Sequence, residues 1–202
     1  MEKLQDCRTT TIGSSTPSTA CILSNCNALA RYASLCQESD LVPIVEPEVL
    51  INGEHDINKC NDVTKISLDT LFEQLDIHGV FLGGTILKPS MVISGDKNKN
   101  RADAKTVSEM TIKRLLDSCP DDLGGVAFLS GGQSDDEATS HLNIMNTSNK
   151  NLPWRVTFSY ARAIQQSALN YWRGKDANTS GAQEIIASRA KACSDASVGS
   201  LS

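Results

Sequence analysis

Apolar residues follow two spacings along this chain, one typical of strands and the other of helices. Four short and nearly continuous apolar runs predict strands buried on both faces; they are VPIVEPEVL, VFLGGTILKP, GGVAFLSGGQS and WRVTFSYA. Segments with apolar residues three or four positions apart predict amphipathic helices; they cover approximately residues 18–37, 55–75, 105–119, 135–146, 161–172 and 182–193. The start, residues 1–15, is poorly defined, and residues 176–202 predict a C-terminal helix and a short tail.

Strands and helices alternate throughout this predicted order. Such alternation is typical of parallel strands joined by right-handed helical crossovers. We therefore predict an α/β fold, either a doubly wound sheet or a barrel. In both architectures the catalytic and binding residues collect at the carboxyl ends of the strands.

Polar residues occur at the carboxyl end of every predicted strand. In chain order they are Glu46 and Glu48, then Lys88, then Ser130 with Gly131 and Gly132, and finally Ser159 with Arg162. Chance placement at every strand end is much less expected than at any one of them. The pattern therefore favours a catalytic site at one edge of the sheet.

Lys88 is the most informative of these residues because it interrupts the apolar run VFLGGTILKPSMV. A buried ammonium is costly unless it pairs with a carboxylate, reaches solvent or loses its proton. Only the neutral amine can attack a carbonyl carbon and form an imine. The competing interpretation is that Lys88 ends its strand and extends its ammonium into water.

Two carboxylates, Glu46 and Glu48, lie on either side of Pro47. Glu46 or Glu48 beside a lysine can form a structural ion pair, or it can move protons during imine formation. Both interpretations remain open at this point.

The segment SGGQS predicts a glycine turn at the end of the third strand. Backbone amides of such a turn can hold a phosphate, and glycine permits close approach. Arg162 can bind the same anion with two hydrogen bonds, although a solvated helix arginine is the simpler interpretation. Together the turn and Arg162 suggest a phosphorylated substrate, since parallel barrels bind phosphate near their last strands.

Composition narrows the choice of partners. The 202 residues are 40% hydrophobic, enough for one sizeable core or for part of a larger one. The net charge of -5 argues against general binding to nucleic acid or to anionic membranes. No apolar stretch approaches the roughly 20 residues needed to cross a bilayer. We expect a cytoplasmic location, with a plastid or another organelle left open.

The seven cysteines and three histidines show no metal-ligand spacing. The cysteines are expected to be free thiols. His55, His78 and His141 are scattered, and surface roles are expected for all three. No metal site is predicted.

Seven motifs give the chain a strong resemblance to class I fructose-bisphosphate aldolase, the metal-independent Schiff-base type. They are LARYASLCQ, LVPIVEPEVL, GEHDINKC, GTILKPSMV, FLSGGQSDDEAT, FSYARAIQQSAL and the closing W-x-GK, in the family's order. The resemblance runs from about Gly13 to Gly199. It implies the second half of a TIM (β/α)8 barrel, so residues 1–202 are expected to form a single partial barrel domain.

The resemblance also implies roles for the candidate residues. Lys88 would form the imine with dihydroxyacetone phosphate, Glu46 would be the general acid and base, and Glu48 its neighbour. The reaction would be reversible cleavage of fructose 1,6-bisphosphate to dihydroxyacetone phosphate and glyceraldehyde 3-phosphate, with no cofactor and no metal. The ketose 1-phosphate would be bound by Ser130, Gly131, Gly132, Ser159, Ala161 and Arg162.

The chain also departs from the family pattern. It resembles only the second half, so the strand carrying the aspartate that deprotonates the C4 hydroxyl is not matched, and Gly83 stands where the family usually has a glutamate near the lysine. Two interpretations remain: the sequence is part of a longer aldolase, or it is an incomplete aldolase that binds phosphate or another protein. A tendency to form homo-oligomers is expected in either case.

Overall fold

Five parallel strands lie side by side in chain order and form one sheet. The computed structural model describes residues 3–201. Its strands are β1 (Lys3–Thr10), β2 (Val42–Val49), β3 (Ile86–Leu87), β4 (Gly125–Phe128) and β5 (Val156–Phe158). Its helices are α1 (Thr19–Glu38), α2 (Ile57–Ile77), α3 (Ala104–Ser118), α4 (Asp135–Ser148), α5 (Arg162–Trp172) and α6 (Thr179–Ser197), with short 3-10 turns at Leu82–Gly84 and Asp176–Asn178.

The strand order distinguishes the two predicted architectures. A doubly wound sheet reverses its strand order at a switch point, whereas this sheet runs from β1 to β5 without reversal. Helices that follow one another also contact one another, so they form a continuous layer. The α/β parallel fold of barrel type is confirmed, and the doubly wound alternative is wrong.

The core lies between this sheet and the helical layer. Leu87 and Phe128 from the strands are fully buried, as are Leu29, Leu71 and Leu142 from three different helices. Full burial of one such side chain contributes about 1.5–3 kcal/mol. The apolar runs and helical spacings of the sequence therefore correspond to the two sides of one core.

The segment Lys3–Thr10 forms a strand that the sequence pattern did not predict. It pairs with β2 over eight residues, from Lys3 opposite Val42 to Thr10 opposite Val49. The segment KLQDCRTT has no apolar run, and most of its side chains from Gln5 onward are exposed. Periodicity alone detects buried strands better than polar edge strands.

The second predicted strand is shorter than expected. Only Ile86–Leu87 is strand, because Leu82–Gly84 turns into a 3-10 helix at the glycine pair. Hydrogen bonds continue past β3, from Lys88 N to Val45 O at 2.8 Å and from Leu129 N to Pro89 O at 3.2 Å. Lys88 therefore still lies at the carboxyl end of an interior strand.

The histidines and cysteines differ in how well their environments were predicted. All seven cysteines are free thiols, five of them buried. The expected surface role of His141 is wrong, because this residue is only 4% exposed. It follows Ala138 and precedes Leu142 and Met145 on the buried face of α4.

No helix within residues 3–201 has both the length and the apolarity needed to cross a bilayer.

Burial of His141 makes the free energy of unfolding depend on pH. Desolvation lowers the pKa of His141 to about 4 from an ordinary value of 6.5, with Glu137 opposing the shift and Arg101 adding to it. Between these two pKa values the unfolded chain binds a proton that the native chain does not. The free energy of unfolding therefore rises with pH across this window and falls as pH drops from 6.5 toward 4.

We predict that His141→Asn removes part of this pH dependence. Each unit of pKa shift corresponds to about 1.4 kcal/mol, so the native protein should lose up to about 3 kcal/mol between pH 7 and pH 4 through His141. Urea unfolding at pH 7, 5.5 and 4.5 measures the effect. Parallel curves of stability against pH for the two proteins would contradict the assignment.

Candidate active site

The carboxyl ends of β2, β3, β4 and β5 follow one another around one edge of the sheet. Hydrogen bonds join Lys88 N to Val45 O, Leu129 N to Pro89 O, and Ser159 N to Phe128 O. The residues just past or at each strand end are thereby held next to residues of the neighbouring strand. The structure gathers the candidates of the sequence analysis at this edge, in two groups.

The first group is a buried ion pair. Lys88 Nζ lies 3.3 Å from Glu46 Oε1, and the two residues are 8% and 6% exposed. Lys88 therefore does not reach into water, as one interpretation of the sequence had it. Burial of a single ion costs several kcal/mol, and only a close counter-charge offsets that cost.

Gln5 of β1 contacts the other oxygen of Glu46. Its Nε2 donates to Glu46 Oε2, while Lys88 pairs with Oε1. Glu46 is thus held from two sides, by a neutral amide and by an ammonium. Sequence reasoning missed Gln5 because β1 itself was not predicted; alternation along Gln5, Cys7 and Thr9 was the available signal.

Glu48 is half-buried and contacts Cys7, so the structure joins it to β1 and not directly to Lys88. Cys7 Sγ donates to Glu48 Oε2 at 3.6 Å. The pKa of the Cys7 thiol is raised to about 12, mainly by partial burial and to a smaller extent by the negative charges of Glu46 and Glu48. The thiol is therefore protonated at neutral pH, which makes it a hydrogen-bond donor and a poor nucleophile.

Cys7, Glu46 and Glu48 place three potential metal-ligand atoms within 4.8 Å of one another. Both oxygens of Glu46 already have partners, Gln5 and Lys88. The thiol carries its proton and uses it on Glu48. Cys7 and Glu48 therefore form one hydrogen-bonded pair, while Glu46 is held separately by Gln5 and Lys88.

The second group is a tight turn after β4. Ser130 O accepts a hydrogen bond from Gln133 N at 3.0 Å, and the two central residues, Gly131 and Gly132, have φ of 56° and 88°. Positive φ at both central positions is the pattern of a type I′ turn, which strongly favours glycine. Within residues 3–201 the amides of Gly131 and Gly132 have no acceptor.

Arg162 lies beside this turn. Its Nη1 is 3.9 Å from the position that a Cβ on Gly132 would occupy, and Ile51 Cγ2 is 3.1 Å from the same point. The Arg162 side chain is exposed and makes no ion pair with any residue the structure describes. A cationic group and two unused amides therefore meet in one place.

The amino termini of the two helices near the turn, α4 and α5, differ in how well they can bind an anion. Ser134 and Glu137 form a capping box at the start of α4, whose first turn carries Asp135, Asp136 and Glu137. At the start of α5, Ala161 offers no side-chain cap and the first turn has no acidic residue. The positive end of the helix dipole is thus open at α5 and neutralised at α4.

Ser159 and Gly83 lie at opposite ends of their respective strands. Ser159 follows β5 and is half-buried, with its backbone amide used in the sheet. Gly83 lies before β3, and a Cβ there would meet the ring of Phe81 at 2.7 Å. Gly83 lies in the 3-10 turn that precedes β3, whereas Lys88 directly follows β3.

Comparison with known proteins places this geometry in a family. The family model described as fructose-bisphosphate aldolase class-I matches residues 7–202. A protein of Xanthomonas campestris named probable fructose-bisphosphate aldolase class 1 is 50% identical over 181 residues, which are 89% of this chain and 54% of that protein. The cytoplasmic isozyme of fructose-bisphosphate aldolase from Spinacia oleracea is 46% identical over 188 residues, or 93% of this chain and 52% of that protein.

A solved structure agrees with these sequence matches. Fructose-bisphosphate aldolase from Plasmodium falciparum, crystallised with TRAP and a small-molecule inhibitor, superposes with a TM-score of 0.95 at 40% identity. The match covers 100% of this chain and 58% of that one. The chain spans about half the length of the relatives it matches.

The family match extends over nearly all of the sequence, and the fold matches part of an aldolase barrel. This chain therefore belongs to the class I fructose-bisphosphate aldolases, a lyase family that is metal-independent in general.

Proposed function

We propose that Lys88 forms an imine with the carbonyl of a triose or ketose phosphate, dihydroxyacetone phosphate in the first instance. The buried pair of Lys88 and Glu46, with Nζ and Oε1 3.3 Å apart, carries the proposal. A lysine in an apolar strand that touches one carboxylate is equipped for this chemistry. Membership of the aldolase family supports the same assignment.

Glu46 can carry the protons that move during each step of imine formation at Lys88. Transfer from Nζ to Glu46 gives a neutral amine, whose lone pair bonds to the carbonyl carbon while the carbonyl oxygen takes the proton from Glu46. The carbinolamine nitrogen then returns a proton to Glu46. Glu46 delivers this proton to the hydroxyl group, which leaves as water, and the nitrogen lone pair forms the iminium.

Gln5 serves this sequence by holding Glu46 in place while its charge changes. The amide donates to Glu46 Oε2 and leaves Oε1 for exchange with Lys88. A side-chain amide neither gains nor loses a proton near neutral pH. Of the two residues that contact Glu46, Gln5 and Lys88, only Lys88 can therefore exchange a proton with it.

The phosphate of the substrate is assigned to the second group. The amides of Gly131 and Gly132, the hydroxyls of Ser130 and Ser159, the backbone at Ala161 and the guanidinium of Arg162 are its proposed ligands. The open amino terminus of α5 adds a favourable dipole for an anion. No metal enters this scheme, because the iminium itself serves as the electron sink.

Cleavage of fructose 1,6-bisphosphate to dihydroxyacetone phosphate and glyceraldehyde 3-phosphate is the wider activity we propose for the protein to which this sequence belongs. That step needs a base at the C4 hydroxyl, and we assign none among residues 3–201. The half-length coverage of the relatives favours a second candidate, an incomplete aldolase that binds phosphorylated ligands. A homo-oligomeric state and a cytoplasmic location remain proposals; the Spinacia oleracea relative is named a cytoplasmic isozyme.

Borohydride reduction tests imine formation. We predict that dihydroxyacetone phosphate and borohydride add one reduced triose phosphate to the peptide that contains Lys88. Glu46→Gln should slow trapping about a hundredfold, since one positioned proton carrier contributes roughly 10²–10⁴. Intact mass and peptide mapping measure both effects.

Two lysine variants separate this chemistry from random surface reduction. Lys88→Arg should abolish the adduct, while Lys113→Arg, whose side chain is 75% exposed, should leave it unchanged. A folded protein that gives no adduct at Lys88 would exclude imine formation. Adduct without cleavage of fructose 1,6-bisphosphate would favour the second candidate.

Arg162→Ala tests the phosphate assignment. We predict about tenfold to hundredfold weaker binding of dihydroxyacetone phosphate, because a hydrogen bond between charged groups is lost. Arg155→Ala is the matched control, since Arg155 is exposed at the amino end of β5. Titration calorimetry measures both variants, and equal affinities for the two would remove Arg162 from the site.

A further inference from the structure

Gln133 closes the glycine turn with two hydrogen bonds to a single carbonyl. Its backbone N and its side-chain Nε2 both donate to Ser130 O, at 3.0 Å and 3.1 Å. The residue is 7% exposed, so these contacts are screened from water. The turn therefore depends on how the Gln133 side chain is held.

His141 holds that side chain. Its Nδ1 lies 2.6 Å from Gln133 Oε1, and both residues are buried. An amide oxygen only accepts hydrogen bonds, so the imidazole must donate from Nδ1. A reversed Gln133 amide would place oxygen against Ser130 O, so the two contacts together fix the amide orientation.

The position of His141 is set from elsewhere in the core. Its backbone oxygen accepts from Ser108 Oγ of α3 at 3.1 Å. On the same face of α4, Ala138 O accepts from Tyr160 Oη, which follows β5, at 2.9 Å. The helix is tied to both neighbouring parts of the barrel wall, so it provides a rigid base from which the imidazole reaches the turn.

We propose that His141 is a positioning residue for phosphate binding: its Nδ1–H orients Gln133, and Gln133 fixes Ser130 O so that the Gly131 and Gly132 amides stay available to the anion. The inference rests on the proposed function, because the turn is assigned there as the phosphate site. His141 itself touches no substrate in this scheme. Its effect is to keep the amides in one arrangement before the ligand arrives.

Leucine and asparagine at position 141 form a matched pair of variants. Both branch at Cγ like the imidazole, but only asparagine can place an N–H near the position of Nδ1. His141→Leu should weaken binding of inorganic phosphate and of dihydroxyacetone phosphate about tenfold, the equivalent of one buried hydrogen bond. His141→Asn should restore affinity to within about twofold of the original protein.

Met145→Ala controls for stability. Met145 is fully buried one turn farther along α4, so its truncation destabilises the same helix without touching Gln133. Affinities measured by calorimetry well below each unfolding temperature should be unchanged in this variant. If His141→Leu binds phosphate as the original protein does, or if Met145→Ala weakens binding equally, the positioning role is excluded.

Measurements without ligand separate this inference from the proposed function. In the original protein, long-range ¹H–¹⁵N spectra should show the proton of His141 on Nδ1. Hydrogen exchange at the backbone amide of Gln133 should be about tenfold slower in the original protein than in His141→Leu. A proton on Nε2, or equal exchange rates, overturns the role of His141. Slow exchange together with no phosphate binding by the original protein would instead refute the phosphate site.

Discussion

Parallel pairing of β2 with β3 places a buried ammonium against a buried carboxylate, and the candidate chemistry depends on that contact. Val45 lies opposite Leu87, so the next residues on the two strands, Glu46 and Lys88, emerge together at the carboxyl edge. Neither charge is stable alone at this depth, since an unpaired buried ion costs several kcal/mol. The contact between Lys88 and Glu46 offsets the cost of burying both charges. It also gives the Lys88 amine a group that can accept its proton.

The two parts of the site are held by different physical means. The ion pair is fixed by strand register and by the Gln5 amide, whereas the glycine turn is fixed by hydrogen bonds from Gln133. The ion pair suits proton transfer, because a proton can move between Lys88 and Glu46. The glycine turn suits anion binding, because its unused amides are already in place and need not reorganise.

The sequence predicted those features that follow from burial. Lys88 and Glu46 were found because a charge in an apolar run needs a reason, and the helices were found by their spacing. Gln5 and Cys7 were not, because an edge strand with exposed polar side chains has no apolar period. The buried position of His141 follows from its spacing from Ala138 and Met145 on α4, but a single histidine carries no signal of its own because histidine occurs both buried and exposed.

The outer edge of β1 has no partner strand within residues 3–201. Asp6 and Arg8 form an ion pair of 2.9 Å on this strand. Leu87 and Phe128 are fully buried between the sheet and its helices.

The proposed chemistry depends on activation of Lys88 by its buried contact with Glu46. The most direct test is a ¹³C–¹⁵N correlation spectrum of protein labelled with ¹⁵N-lysine and mixed with dihydroxyacetone phosphate labelled with ¹³C at its carbonyl carbon. We predict one iminium correlation, present in the original protein and absent from Lys88→Arg. A folded protein that shows only the free ketone and its hydrate would contradict imine formation at Lys88.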